Sequence, residues 1–423
     1  MRILAALFLA GLLGSVSYGQ AVERVVISPS YSIQKAIDRA SDGDTITVGN
    51  GTYFEHINFK GKDITVQSSG GAANCVIHGS GVPMQGAPVV MFVHGETNDA
   101  VLSGFQITNG SGRVHGNTNY GGGIYIYNSE PEISDCWIHT NSVDGYVRCG
   151  AGGIYATSTG DPITLIIKDN KIYDNYADDG ATAMFLRNTS FDTLVQGNEI
   201  YGNEGGGSTM IAIHGDVHFN YNVVYDHPDH DVDIKKYEED EFGGHAYITD
   251  NLFYEISMVE VSHHNHTYII GNTFADFTQE SSIPTTLFYR GNAATPTGDS
   301  YLYLYNNIFW DQGATPTYHI RVQYGHPDHD TDVWIEYCCV EGGATQINDN
   351  GVNWVKSWAT GTGNIETDPT FVNAGTDDYH IQDGSDCNNG GLNTAPEATA
   401  LDFEGDTRPF EVDYDIGADE RDS

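Results

Sequence analysis

The sequence predicts an all-β fold, a single-stranded right-handed parallel β-helix of about nine to eleven coils with a short N-terminal capping helix. Three observations predict it. A short motif, apolar then small or Asn then apolar, recurs on average about every 29 residues. A four-residue window of alternating apolar and other residues precedes each copy. The composition, 423 residues with 50 Gly, 26 Tyr and 39% hydrophobic content, supplies a sizeable core and many turns.

Residues 1–19 read as a signal peptide. Arg2 precedes the apolar run Ile3 to Val16, and Ser17-Tyr18-Gly19 places small residues at a cleavage site. The run is too short to span a bilayer, so the expected mature chain is exported, secreted or held at the cell surface, with no membrane span. Residues 20–44 form the N-terminal cap. Ile33, Ala36, Ile37 and Ala40 share one helix face that covers the open end of the core, and Gly43-Asp44 turns into the first strand. Coils occupy 45–385 and a C-terminal capping tail occupies 386–423.

Within the coils, the motif pivots are Gly104, Cys136, Asn170, Asn198, Asn222, Asn251, Asn272, Asn307 and Cys338. Variable spacing without helical periodicity fits a strand-loop-strand coil. Each pivot is assigned to a tight bend where Asn tolerates the left-handed backbone. Six consecutive Asn pivots would form a hydrogen-bonded ladder along the stack. The preceding windows are MFVH (91–94), IYIY (124–127), IYAT (154–157), MFLR (184–187), IAIH (211–214), VDIK (232–235), VEVS (259–262), LFYR (287–290) and IRVQ (320–323). First and third positions are apolar in all nine, so each is a strand with one buried face. Stacked about 4.8 Å apart, they form one sheet of the coil.

Charge and cysteines bound the function. With 58 acidic against 18 basic residues and a net charge of −40, the chain repels phosphate backbones, which excludes general nucleic-acid binding. Six cysteines in an exported chain permit disulfides, with Cys136–Cys149 and Cys339–Cys387 as candidate bridges. The expected state is a monomer.

The repeats, the opening SIQKAIDRASDGDTITVGNGTYFE and the closing segments Asp402–Pro409 and Asp415–Glu420 resemble those of the pectate-lyase-like superfamily of right-handed parallel β-helix proteins, as found in exported bacterial proteins. The resemblance covers roughly residues 30–420. It implies the fold more than an activity, because that superfamily holds lyases, hydrolases and non-enzymatic surface proteins.

Any chemistry should lie on the outer face of the repeated windows. One outward column reads Phe92, Tyr125, Tyr155, Phe185, Ala212, Asp233, Glu260, Phe288, Arg321, and the other His94, Tyr127, Thr157, Arg187, His214, Lys235, Ser262, Arg290, Gln323. Cations are scarce in this chain, yet Arg187, Lys235, Arg290 and Arg321 all fall in these columns. Tyr125, Tyr127, Tyr155, Phe185 and Phe288 flank them. Aromatic faces beside cations suit a groove for an acidic polysaccharide or another glycan. Asp233 and Glu260, with Asp231 two residues earlier, are candidate Ca²⁺ ligands. Elimination at a uronic acid needs a base and a neutralised carboxylate. The resemblance to calcium-dependent pectate lyases implies Lys235 as that base. His214 is the second candidate, and Arg187 or Arg290 would neutralise the sugar carboxylate. By strand parity His264 faces outward near Glu260, with His263 and His266 in a loop. The repeated segments His227–Asp231 and His326–Asp330 are candidate metal loops or solvated acidic turns, and Tyr237–Glu241 a solvated acidic loop. Asp402, Glu404 and Asp406 alternate as in a Ca²⁺ loop, but end-capping is the favoured reading.

Three functions remain open on this reading. The first is an exported lyase that cleaves a uronate polysaccharide by metal-assisted β-elimination. The others are a glycoside hydrolase using an Asp/Glu pair and a non-catalytic surface or adhesion protein that binds glycans.

Overall fold

The computed structural model describes residues 21–26, 28–79, 87–115, 118–144, 150–207, 209–236, 244–278, 285–291, 299–313, 316–323, 331–348, 362–410 and 412–420. The expected leader 1–19, the second copy 326–330 and the acidic run 237–241 lie outside the described residues, as does Cys149. The chain is a right-handed parallel β-helix, 47% strand and 5% helical. Its three long sheets hold 12, 11 and 11 strands. A middle coil shows the plan. Strand Ile166–Lys168 enters the first sheet, Lys171–Tyr173 the second and Met184–Thr189 the third, each paired in parallel with its counterpart one coil on.

The alternating windows form the third sheet, and their inward residues build the core. Ile124, Ile154, Met184, Ile211, Val232, Val259, Leu287 and Ile320 are fully buried, and so are Ile126, Ala156, Leu186, Ile213, Ile234, Val261, Tyr289 and Val322. Their Cα partners match the predicted register across all eight of these windows. The ninth is corrected. Met91, not Phe92, pairs with Tyr125, and Phe92 is buried. The apolar run from Val89 to Val93 offers alternation two equal registers, so its sequence could not choose.

At the bend between the first and second sheets, the left-handed residue is the one before the pivot: Asp135, Asp169, Gly197, Tyr221, Asp250, Gly271, Asn306 and Tyr337 all have φ between 53° and 67°. Gly104 takes that role itself, with φ 81°. The Asn that follows turns inward and makes the expected ladder. Each side-chain Nδ2 from Asn170 to Asn272 donates to the next Asn Oδ1 at 2.9–3.0 Å, ending at Asn307. A second ladder, Asn141–Asn175–Asn203, lies five residues after the pivots Cys136, Asn170 and Asn198.

Helix Ile33–Arg39 closes the N-terminal end with Ile33 and Ile37 fully buried. Its N-terminus is satisfied by Ser32 and by Glu55, whose carboxylate accepts from the Ile33 and Gln34 backbone N–H groups. The tail lies along the side of the coils as well as following them. Arg408, 2% exposed, pairs with Asp250 and Glu420, Gly417 N–H donates to the Asn306 carbonyl and Ala418 N–H donates to Thr273 Oγ1. Asp402, placed in end-capping by sequence, accepts from three backbone N–H groups of its own turn, those of Glu404, Gly405 and Asp406.

The cysteine expectation is corrected. Cys136, Cys339 and Cys387 are buried free thiols. Cys339 and Cys387 sit in hydrogen-bonding contact, unbridged. The Cys136–Cys149 pairing falls on a residue outside the described set. Among the described residues no helix is long and apolar enough to cross a membrane.

Candidate site on the outer face of the third sheet

Because the register holds, the predicted wall exists. Phe185, Ala212, Asp233, Glu260, Phe288 and Arg321 are successive Cα partners, and so are Arg187, His214, Lys235, Ser262, Arg290 and Gln323. Strands Thr209–Gly215, His227–Lys235 and Ile256–Ser262 carry its centre.

Asp233 is the hub. Lys235 Nζ ion-pairs with Asp233 Oδ2 from the same strand, and His214 Nε2 lies 3.8 Å away on the neighbouring one. Burial works to raise the Asp233 carboxyl, but the nearby His214 ring and the Lys235 ammonium outweigh it and hold the group below its ordinary range. Asp231, on the same outer side two residues earlier, goes the opposite way. Burial first, then Glu260 and Asp233, push it up to about 6, against a Ser257 hydrogen bond. Glu260 is raised by burial and by Asp233. The wall therefore holds one carboxyl whose pKa is lowered beside two whose pKa values are raised.

Farther along, Arg290 and Arg321 lie over the Phe288 ring at 5.3 and 5.0 Å. The Nε of each is buried with no hydrogen-bond partner. Arg187 is exposed. These guanidinium groups form the cationic side of the wall. His214 is 6% exposed, stands edge-on to Phe185 at 4.9 Å, and burial lowers its pKa.

Other assignments change. Tyr125 and Tyr155, expected as an open sugar platform, are 9% and 8% exposed and pack with Tyr120 and Ala151 in a small apolar cluster. Arg113 covers Tyr125 at 5.3 Å. Tyr127 keeps its hydroxyl beside Thr159 at 3.2 Å. His264 does not face outward. It is fully buried, with Nε2 3.0 Å from the Gly215 carbonyl. Strand parity fails there because His263, at φ 65°, turns the chain. His266 is no loop residue either, since it opens strand His266–Ile270 and stacks on His245 and Tyr301. In the first HisProAspHisAsp segment, His227 is buried with Nδ1 3.0 Å from the Asn203 carbonyl, and His230 packs against its ring.

A calcium ion fits this donor set poorly. One oxygen of Asp233 is held by an ammonium that would repel a dication. The other, Oδ1, is buried without a partner. Among the described residues, Asp231, Asp233 and Glu260 do not bring ligand atoms mutually within 4.8 Å.

Sequence reading missed the aromatic stacks. Tyr173, Tyr201, Tyr225 and Tyr254 stack at 5.0, 5.0 and 4.9 Å. The signal was present, since each is the third residue after a pivot. No known family model matches the chain, and no curated protein matches it.

Proposed function

We propose that this exported β-helix protein, of pectate-lyase-like type, hydrolyses glycosidic bonds in an acidic polysaccharide held along the outer face of the third sheet. The observation that carries the reading is the split between Asp231 and Asp233, neighbouring outward carboxyls whose surroundings push them in opposite directions. Such a split assigns acid and base roles. Asp231, which holds its proton up to about pH 6, is the general acid to the leaving oxygen. Asp233, held ionised by Lys235 and His214, is the second carboxylate of the pair, in the base or nucleophile role. Arg290 and Arg321 offer donors to sugar carboxylates.

Elimination is the second reading, favoured by the neutral His214 beside a cationic wall. Lys235 supports it less, because an ammonium paired with Asp233 has no lone pair to accept a proton. Calcium belongs to this second reading only. Purified mature protein incubated with pectate, alginate, chondroitin and neutral glycans separates the possibilities. Hydrolysis releases reducing ends without new ultraviolet absorbance. A rise in ultraviolet absorbance from an unsaturated uronate, formed by proton abstraction, would replace hydrolysis with elimination. Binding without new ends would leave a glycan-binding surface.

A further inference from the structure

Away from that wall, a second cluster lies at the bend between the second and third sheets. Asp311 follows strand Ile308–Trp310, and Glu341 follows strand Cys339–Val340 one coil on. His319 lies at the start of strand Tyr318–Gln323 and is fully buried. One ligand atom from each of the three lies within 4.8 Å of the others. Two metal–ligand bonds of about 2.1 Å can span donors about 4.2 Å apart, so closure around an ion needs only a small shift.

Two further observations point to a ligand. Asp311 is 5% exposed, and although Oδ1 accepts the Phe277 N–H at 2.7 Å, Oδ2 is buried with no hydrogen-bond partner. A buried carboxylate oxygen without a donor is costly unless something positive meets it. Among the described residues no cationic side chain ion-pairs with Asp311. His319 is also set up as a ligand. Its Nδ1 lies 3.1 Å from Thr286 Oγ1, which orients the ring, while Nε2 faces Glu341 Oε2 at 3.4 Å.

The other cluster of this kind among the described residues, His380, Glu404 and Asp419, differs in this respect. His380 already donates to Asp378 and Glu404, so its ring nitrogens are taken up as an imidazolium.

We propose that Asp311, His319 and Glu341 bind a first-row divalent transition metal, which clamps two successive coils at this bend. One imidazole nitrogen with two carboxylates suits Zn²⁺ or Mn²⁺ better than Ca²⁺, which prefers oxygen alone. The full mature protein, stripped with chelator, is titrated calorimetrically with Zn²⁺, Mn²⁺ and Ca²⁺ as the salts alone. One Zn²⁺ site per chain is expected, with a rise in melting temperature on binding and no matching Ca²⁺ site. Glu341→Gln, on the most exposed ligand, should weaken Zn²⁺ at least tenfold, while His380→Gln leaves it unchanged. Asp311→Asn, which keeps the Phe277 contact, provides a second variant should the first misfold. No saturable site, or isotherms unchanged in Glu341→Gln and Asp311→Asn, overturns the proposal. So does loss of the site in His380→Gln.

Discussion

Asp231 and Asp233 are two residues apart on one strand, yet they carry opposite electrostatic surroundings. A carboxyl pushed up to about 6 is a usable acid below that pH and a poor one above it. The rate of polysaccharide hydrolysis should therefore fall as pH rises through about 6. Asp231→Asn should lower kcat by roughly 10²–10⁴, the span of a lost general acid, and remove that limb of the pH profile. A pH–rate series on the responsive polymer checks both. A profile unchanged in Asp231→Asn would take the acid role away from this residue. Much of this wall was legible in the sequence because alternation fixes which side chains face out, and Asp233, Lys235, Glu260 and Arg290 needed only parity. The Asp233–Lys235 ion pair was not legible, since periodicity places side chains on a face without fixing their rotamers.

Among the elements, the asparagine ladder does for the bends what strand pairing does for the sheets. Asn222 is fully buried. Its Nδ2 donates to the Val195 carbonyl at 2.9 Å and to Asn251 Oδ1 at 3.0 Å, and its Oδ1 accepts from the Asn198 backbone N–H and Nδ2. Asn222→Ala leaves several buried groups unpaired, each costing about 1–3 kcal/mol, and should lower the urea midpoint accordingly. Asn307, whose Nδ2 meets only Cys338 Sγ at 3.8 Å on that side, should tolerate substitution better. The ladder was readable from its repeat spacing, and so was the register of eight windows. Apart from the ambiguous register of the first window, the site assignments that failed did so where the backbone leaves the repeat. His263 resets the parity of His264 by a single left-handed residue. Tyr125 and Tyr155 are covered by Tyr120 and Ala151, which come from connections of irregular length and carry no period to read.

At the scale of the whole molecule, stability depends on a long tail folded back against the coils. His380, in strand Asp378–Ile381, joins the tail through Nε2, 3.2 Å from Glu404 and 3.9 Å from Asp419, while Nδ1 lies 2.6 Å from Asp378. Burial works to lower its pKa, but these three carboxylates outweigh it and push it up to about 9. A histidine raised in the folded state stabilises fully below its unfolded pKa near 6.5, and that contribution is lost as pH climbs through 9. Asp419, pushed up to about 7 by burial, acts in the same direction, because the folded state holds its proton where the unfolded chain has released it. Asp419 completes its loss by about pH 7, so it is His380 that predicts a tail loosening on the alkaline side. Amide exchange in residues 402–420 should quicken between pH 6.5 and 9 more than intrinsic exchange chemistry accounts for, while the coil core around Val232 and Val259 holds its protection. His380→Gln should flatten that excess and leave the melting temperature at pH 9 close to that of the parent. An excess that persists in His380→Gln would assign the alkaline loosening to the buried Arg408–Asp250–Glu420 cluster instead.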